Sequence, residues 1–130
     1  MLKIIFKYSL ICSVIWTVII FILCSTPGKY VPTAHWLDLL SFDKLVHVSM
    51  FFILTSLWLC YFISKYTITP STVSAVFIGC VAYGGLLEIM QATLFSQRSG
   101  DWFDFIANTV GCLIALYFFR KKKLFHLKTT

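Results

Sequence analysis

Nine residues of this 130-residue chain have types and spacings suited to chemistry: Asp43, Lys44, His47, Glu88, Gln91, Arg98, Asp101, Asp104 and Asn108. Asp43 and His47 stand four apart, Glu88 and Gln91 three apart, and Asp101, Asp104 and Asn108 follow at three and four. On helices each set shares one face. Carboxylates with a histidine suit a divalent cation, but spacing such as His-Glu-x-x-His is absent, so no metal ligand and no cofactor is assigned. Lys44, Arg98 and amides at a helix start suit a phosphate. Glu88 or His47 has the chemistry of a general base. Ser49, Ser96 and Ser99 lie nearby in sequence without a triad arrangement, so no catalytic residue is assigned and a binding role is preferred to an enzyme.

The surroundings of these residues are apolar. The chain is 59% hydrophobic and 12% charged, with a mean hydropathy of +0.88. A soluble domain of this size cannot hide so much apolar surface, which predicts an integral membrane protein. A crossing needs roughly 20 residues for ~30 Å of hydrocarbon, leaving room for about four helices and short connectors. The net charge of +6 is explained by basic helix ends at a membrane, not by nucleic acid. Cys12, Cys24, Cys60, Cys80 and Cys112 lack metal or redox spacing and read as small buried hydrophobes, with neither disulfides nor zinc expected.

The apolar runs predict an all-α, four-transmembrane-helix bundle over 4–24, 45–63, 73–95 and 103–119, a single domain spanning 1–130. The first run follows Lys3 and Lys7 as a signal peptide would, but it is long and no Ala-x-Ala site follows, so it reads as a retained helix. Four crossings put both termini on one side. With the termini inside, eight basic residues (Lys3, Lys7, Lys65, Arg120, Lys121, Lys122, Lys123 and Lys128) face three outside (Lys29, Lys44 and Arg98). The positive-inside rule therefore predicts cytoplasmic termini. All five carboxylates, Asp38 among them, then fall on the outer side.

Pro27, Gly28 and Pro32 keep the first part of the connector over 25–44 from being helical. His35 to Leu40 reads as an interfacial segment, either a lid over the outer face or a passive anchor. Ala107, Gly111 and Ala115 form a small-residue seam on the fourth helix, and Ala75 and Gly79 a shorter one on the third. Such a seam serves the internal bundle or a homo-oligomer. Gly84 and Gly85 permit close packing or a kink just before Glu88.

Three helices thus supply polar groups at one depth, one to two turns below the outer boundary. Polar side chains at that depth are expensive, and a convergent set is a candidate site. A closed network, with Arg98 on Asp101 or Asp104 and His47 on Glu88, would instead only lock the bundle. A third possibility is a membrane enzyme acting on a lipid or phosphoester, with or without a metal. A ligand-binding site is preferred, because fewer polar groups suffice for a lock and buried ion pairs add little net stability.

Asp43-Lys44-Leu45-Val46-His47, Glu88-Ile89-Met90-Gln91, Arg98-Ser99-Gly100-Asp101-Trp102-Phe103-Asp104 and Asn108-Thr109-Val110-Gly111 together resemble the VanZ-like family. The pattern is D-K-x-x-H, E-x-x-Q, R-x-x-D-x-x-D and N-x-x-G, in that order, over about Asp43 to Phe119. Ser49-Met50-Phe51 after His47 departs from it. The resemblance implies a small multi-pass protein of the bacterial cytoplasmic membrane. It also implies a link to the cell envelope and to tolerance of the glycopeptide teicoplanin, with a membrane lipid or lipid-linked envelope component as partner. It carries the nine residues over as the ligand-binding set. Antibiotic resistance itself is not assumed for this chain, since relatives also serve ordinary envelope physiology.

Overall fold

The computed structural model describes residues 2–26, 42–95 and 100–122. They form four helices: α1 (Leu2–Ser25), α2 (Phe42–Lys65), α3 (Pro70–Thr93) and α4 (Trp102–Lys121). Among the described residues there is no strand. At ~1.5 Å per residue the helices are roughly 30–36 Å long, and all four are long and apolar enough to cross a membrane. The expected all-α bundle of four helices, each long and apolar enough to span, is therefore found.

Local chemistry explains the boundaries. Thr69 caps α3, its hydroxyl accepting from the Thr72 N–H, and Pro70 follows at the first turn, where its missing N–H costs nothing. Asp101 caps α4 in the same way through the Phe103 N–H. The edges differ from the hydropathy reading by one to three residues, most at the starts of α2 and α3, the latter at Pro70. α2 begins at Phe42, so Asp43 and Lys44 lie in its first turn, and α3 ends at Thr93. Charged residues hid the start of α2, because hydropathy falls wherever a helix turn is polar.

α2 is central. It packs most extensively on α4, then on α1 and α3, and α3 also packs on α4 and α1. Close packing of α2 on α4 depends on Gly111: a Cβ there would collide with the Val48 carbonyl oxygen and lie 3.0 Å from the Phe52 amide nitrogen. Gly84 likewise admits the Phe51 ring, which would stand 3.1 Å from an added Cβ. Gly79 behaves differently: no atom lies within 4 Å of its would-be Cβ, so the proposed seam with Ala75 is not a helix contact there. Bonds that tie in α1 include Trp16 Nε1–H to the Met50 carbonyl at 3.0 Å and Tyr83 O–H to the Thr17 carbonyl at 2.8 Å.

The pattern of burial is inside-out for water. Ser9, Ser13, His47, Thr55, Glu88, Gln91, Asp104 and Asn108 are buried, whereas Ile11, Ile22, Ile78, Leu86, Ile89, Phe103 and Leu113 are exposed. A bundle facing lipid gains nothing from hiding leucine but must hide polar groups. Cys24, Cys80 and Cys112 are buried as expected, while Cys60 is half-buried and Cys12 is exposed, so the reading of all five as buried fails for these two. Cys12 sits on the apolar outer face of α1, where a small apolar side chain carries no cost.

The topology separates charge. Asp43, Glu88, Asp101 and Asp104 lie at the end where α2 and α4 begin and α3 finishes. Lys7, Lys65, Arg120, Lys121 and Lys122 lie at the other end. Among the described residues Lys44 is the one basic residue at the acidic end. The connector segment His35 to Leu40, together with Lys29, Asp38, Ser96, Arg98 and Ser99, lies outside the described residues.

Candidate functional site

The acidic end holds a polar cluster built from three helices. Lys44, in the first turn of α2, reaches across to α4. Its Nζ donates to Asp104 Oδ1 at 2.8 Å and to Asp101 Oδ2 at 3.0 Å. One turn deeper, His47 Nδ1 meets Asn108 Oδ1 at 2.9 Å. An amide oxygen only accepts, so Nδ1 carries a proton and donates. The other ring nitrogen, Nε2, faces Asp43 Oδ1 at 3.9 Å and Asp104 Oδ2 at 3.8 Å.

α3 joins through Glu88. Its Oε2 accepts the backbone N–H of Asp101 at 3.1 Å, just before α4 begins. The other oxygen, Oε1, is buried with no hydrogen-bond partner, as is Asn108 Nδ2. Gln91 points elsewhere: its Nε2 donates at 3.1 Å to the Cys24 carbonyl at the end of α1. That carbonyl is among the last four of α1, which have no partner inside the helix. Gln91 thus ties α3 to α1 and stands apart from the cluster's ion pairs.

Of the nine residues, Asp43, Lys44, His47, Asp101, Asp104 and Asn108 form one connected network, and Glu88 joins it through backbone. The closed-network alternative paired His47 with Glu88; His47 instead meets Asn108, because α2 and α4 pack more closely than α2 and α3. Lys44 pairs with both Asp101 and Asp104, either of which the closed-network alternative gave to Arg98, a residue outside the described ones. Ser49 donates to the Leu45 carbonyl at 2.8 Å on an exposed helix surface, so it belongs to no catalytic arrangement.

Sequence reasoning missed Gly100 as a positioning residue. A Cβ there would lie 2.6 Å from the Glu88 carbonyl oxygen, so only glycine lets the chain at this position settle against α3 and bring the Asp101 N–H to Glu88. Its place directly before a helix-capping aspartate was the available signal.

Asp101 lies outside the spanning helices. Its carboxyl is held below the ordinary carboxylate value, first by the Phe103 N–H and then by the Lys44 ammonium. It stays ionised at neutral pH, which keeps the cap and the ion pair together.

Cavities open on the bundle among the described residues. One of about 320 Å³ lies between α3 and α4 and is lined by Gly85, Ile89, Ala92, Gly100, Trp102 and Phe105, with Glu88 and Asp101 in its wall. A larger one of about 590 Å³ lies among α1, α2 and α3, walled mainly by Leu54, Trp58, Phe62, Val76 and Tyr83, and contains none of the polar set. The smaller cavity is the one that meets the chemistry.

No family model and no solved structure matches this chain. The chain is similar to a protein of the fission yeast Schizosaccharomyces pombe, "Uncharacterized protein C11E3.10", at 32% identity over 98 residues. The match covers 75% of this chain and 58% of the relative, so the chain spans less than two thirds of that protein. Likeness to a yeast protein means that the shared sequence is not confined to bacteria.

Proposed function

We propose that this is a VanZ-like multi-pass membrane protein that binds a membrane lipid or lipid-linked envelope component at its acidic end. The cavity between α3 and α4 carries this reading, because its apolar walls suit an acyl chain and its edge holds Glu88 and Asp101. Lys44 is already engaged by two carboxylates, which leaves the described cluster acidic. That balance favours a headgroup bearing an amine over a bare phosphate. On the positive-inside rule the basic end with both termini faces the cytoplasm, and the acidic end faces outward. The resemblance favours a bacterial cytoplasmic membrane and a link to the envelope or to teicoplanin tolerance; the fission-yeast relative favours a broader membrane role.

The test is native mass spectrometry of protein released from nanodiscs containing both phosphatidylethanolamine and phosphatidylglycerol. Retention of the amine lipid by the wild type, and its loss in Glu88→Gln, is the expected result. Equal retention of both lipids in both proteins would defeat the reading.

A second reading is favoured by the closure of the Lys44 pairs: the network locks α2 to α4 and has no ligand. It predicts that Lys44→Met lowers stability and changes no lipid occupancy.

A further inference from the structure

We infer that Asp43, His47 and Asp104 form a binding site for a divalent first-row transition-metal ion, Zn²⁺ being the best match. Their ligand atoms all lie within 4.8 Å of one another. Two come from one face of α2 and the third from α4, so no single-helix motif announces the set. This site does not depend on the lipid reading.

The histidine carries the inference furthest. Its side chain is only 7% exposed, and its Nε2 is aimed between two carboxylate oxygens at 3.8 and 3.9 Å, too far for hydrogen bonds. Its Nδ1–H is fixed by the Asn108 carbonyl at 2.9 Å. Metal-bound histidines are held this way, with the second ring nitrogen donating to a fixed oxygen that sets the tautomer and the ring plane. Asn108 is itself buried, so the imidazole arrives preoriented with Nε2 toward the carboxylates.

The spacing suits an ion. With metal–ligand distances of about 2.0–2.2 Å, neighbouring ligand atoms in a tetrahedral site stand roughly 3.3–3.6 Å apart. The two separations from His47 need a contraction of about half an ångström or less, and the two carboxylate oxygens, within 4.8 Å of each other, close by up to roughly 1.5 Å. Asp43 can supply it, since its side chain is 69% exposed in the first turn of α2. An imidazole with two carboxylates suits Zn²⁺ or Mn²⁺ better than Mg²⁺, which prefers all-oxygen shells. Three protein ligands leave a fourth position open to water or a ligand oxygen.

Charge agrees. Lys44 pairs with Asp101 and with the far oxygen of Asp104, leaving Asp104 Oδ2 turned to His47. Counting Lys44 against Asp101, the charges of Asp43 and Asp104 balance one divalent ion. Glu88 faces the same end but spends its Oε2 on the Asp101 N–H. Exposure falls from Asp43 at 69% to Asp104 at 12%, which gives the ion a path in from the surface.

The experiment is calorimetric titration of chelator-stripped, detergent-solubilised full-length protein with Zn²⁺ alone, with native mass spectrometry for stoichiometry. One ion per chain is expected, with binding lost in His47→Gln and weakened about tenfold or more in Asp43→Asn. Asn108→Leu should weaken binding by about 10- to 100-fold while leaving one site. Co²⁺ in place of Zn²⁺ should give the intense visible bands of a four-coordinate ion, altered in Asp43→Asn. Because Asp43 is exposed, that variant folds and decides the matter even where His47→Gln does not. Folded wild type without saturable binding, or Asp43→Asn binding as tightly and with the same Co²⁺ spectrum as wild type, would overturn the inference and leave His47 as a partner of the carboxylates only.

Discussion

The backbone N–H of Asp101 donates to Glu88 Oε2 at 3.1 Å, so a side chain near the end of α3 holds the residue that caps α4. One contact thereby fixes the start of α4 and the position of the carboxylate that meets Lys44. Glu88→Gln keeps an acceptor and removes a buried carboxylate, so its cost should stay within about 1 kcal/mol. Glu88→Leu strands the N–H and should cost about 1–3 kcal/mol. Thermal unfolding of both variants in one detergent is the check; equal losses would mean that the bond to Asp101 is unimportant.

Gly111→Ala should loosen the bundle where Gly79→Ala does not. The first puts a methyl onto the Val48 carbonyl, and backbone cannot step aside; the second meets open space. Expected losses are about 1–3 kcal/mol for Gly111→Ala and under about 0.5 kcal/mol for Gly79→Ala. Denaturation midpoints of the pair measure the difference directly.

Gln91 acts as a strap between α3 and α1. Gln91→Leu should cost about 0.5–1.5 kcal/mol through the lost bond to the Cys24 carbonyl. Gln91→Glu should cost more, because a carboxylate offers that carbonyl no donor and must itself be buried. Faster hydrogen exchange confined to the end of α1 in Gln91→Leu would support the strap, and unchanged exchange would count against it.

Acid should weaken the cap on α4. The folded-state value of Asp101 lies below its ordinary value of 3.8. Its stabilisation is therefore complete above the unfolded value and is lost as pH falls through the lower, folded-state one. Asparagine also caps helices, so Asp101→Asn removes the charge and keeps the cap. The melting-temperature gap between wild type and Asp101→Asn should be widest near neutral pH and should close on acidification. A gap of the same size at pH 3 and pH 7 would show that Lys44 contributes nothing through charge.

The sequence by itself determined the class and the count of helices. Four apolar runs of the right length point to helices able to span a membrane, because an unpaired backbone cannot cross hydrocarbon. The spacing of Asp43 with His47, and of Asp101, Asp104 and Asn108, also placed each set on one face, since helical periodicity is a local property. The tertiary structure alone decided which faces meet. Gly111 brings α2 against α4, and that approach gives His47 to Asn108, not to Glu88, and Lys44 to two aspartates. It also turns Gln91 toward α1 and gathers Asp43, His47 and Asp104 around one point. Those choices depend on interhelical distances of a few ångströms, which are set by packing across the bundle and by no pattern along the chain.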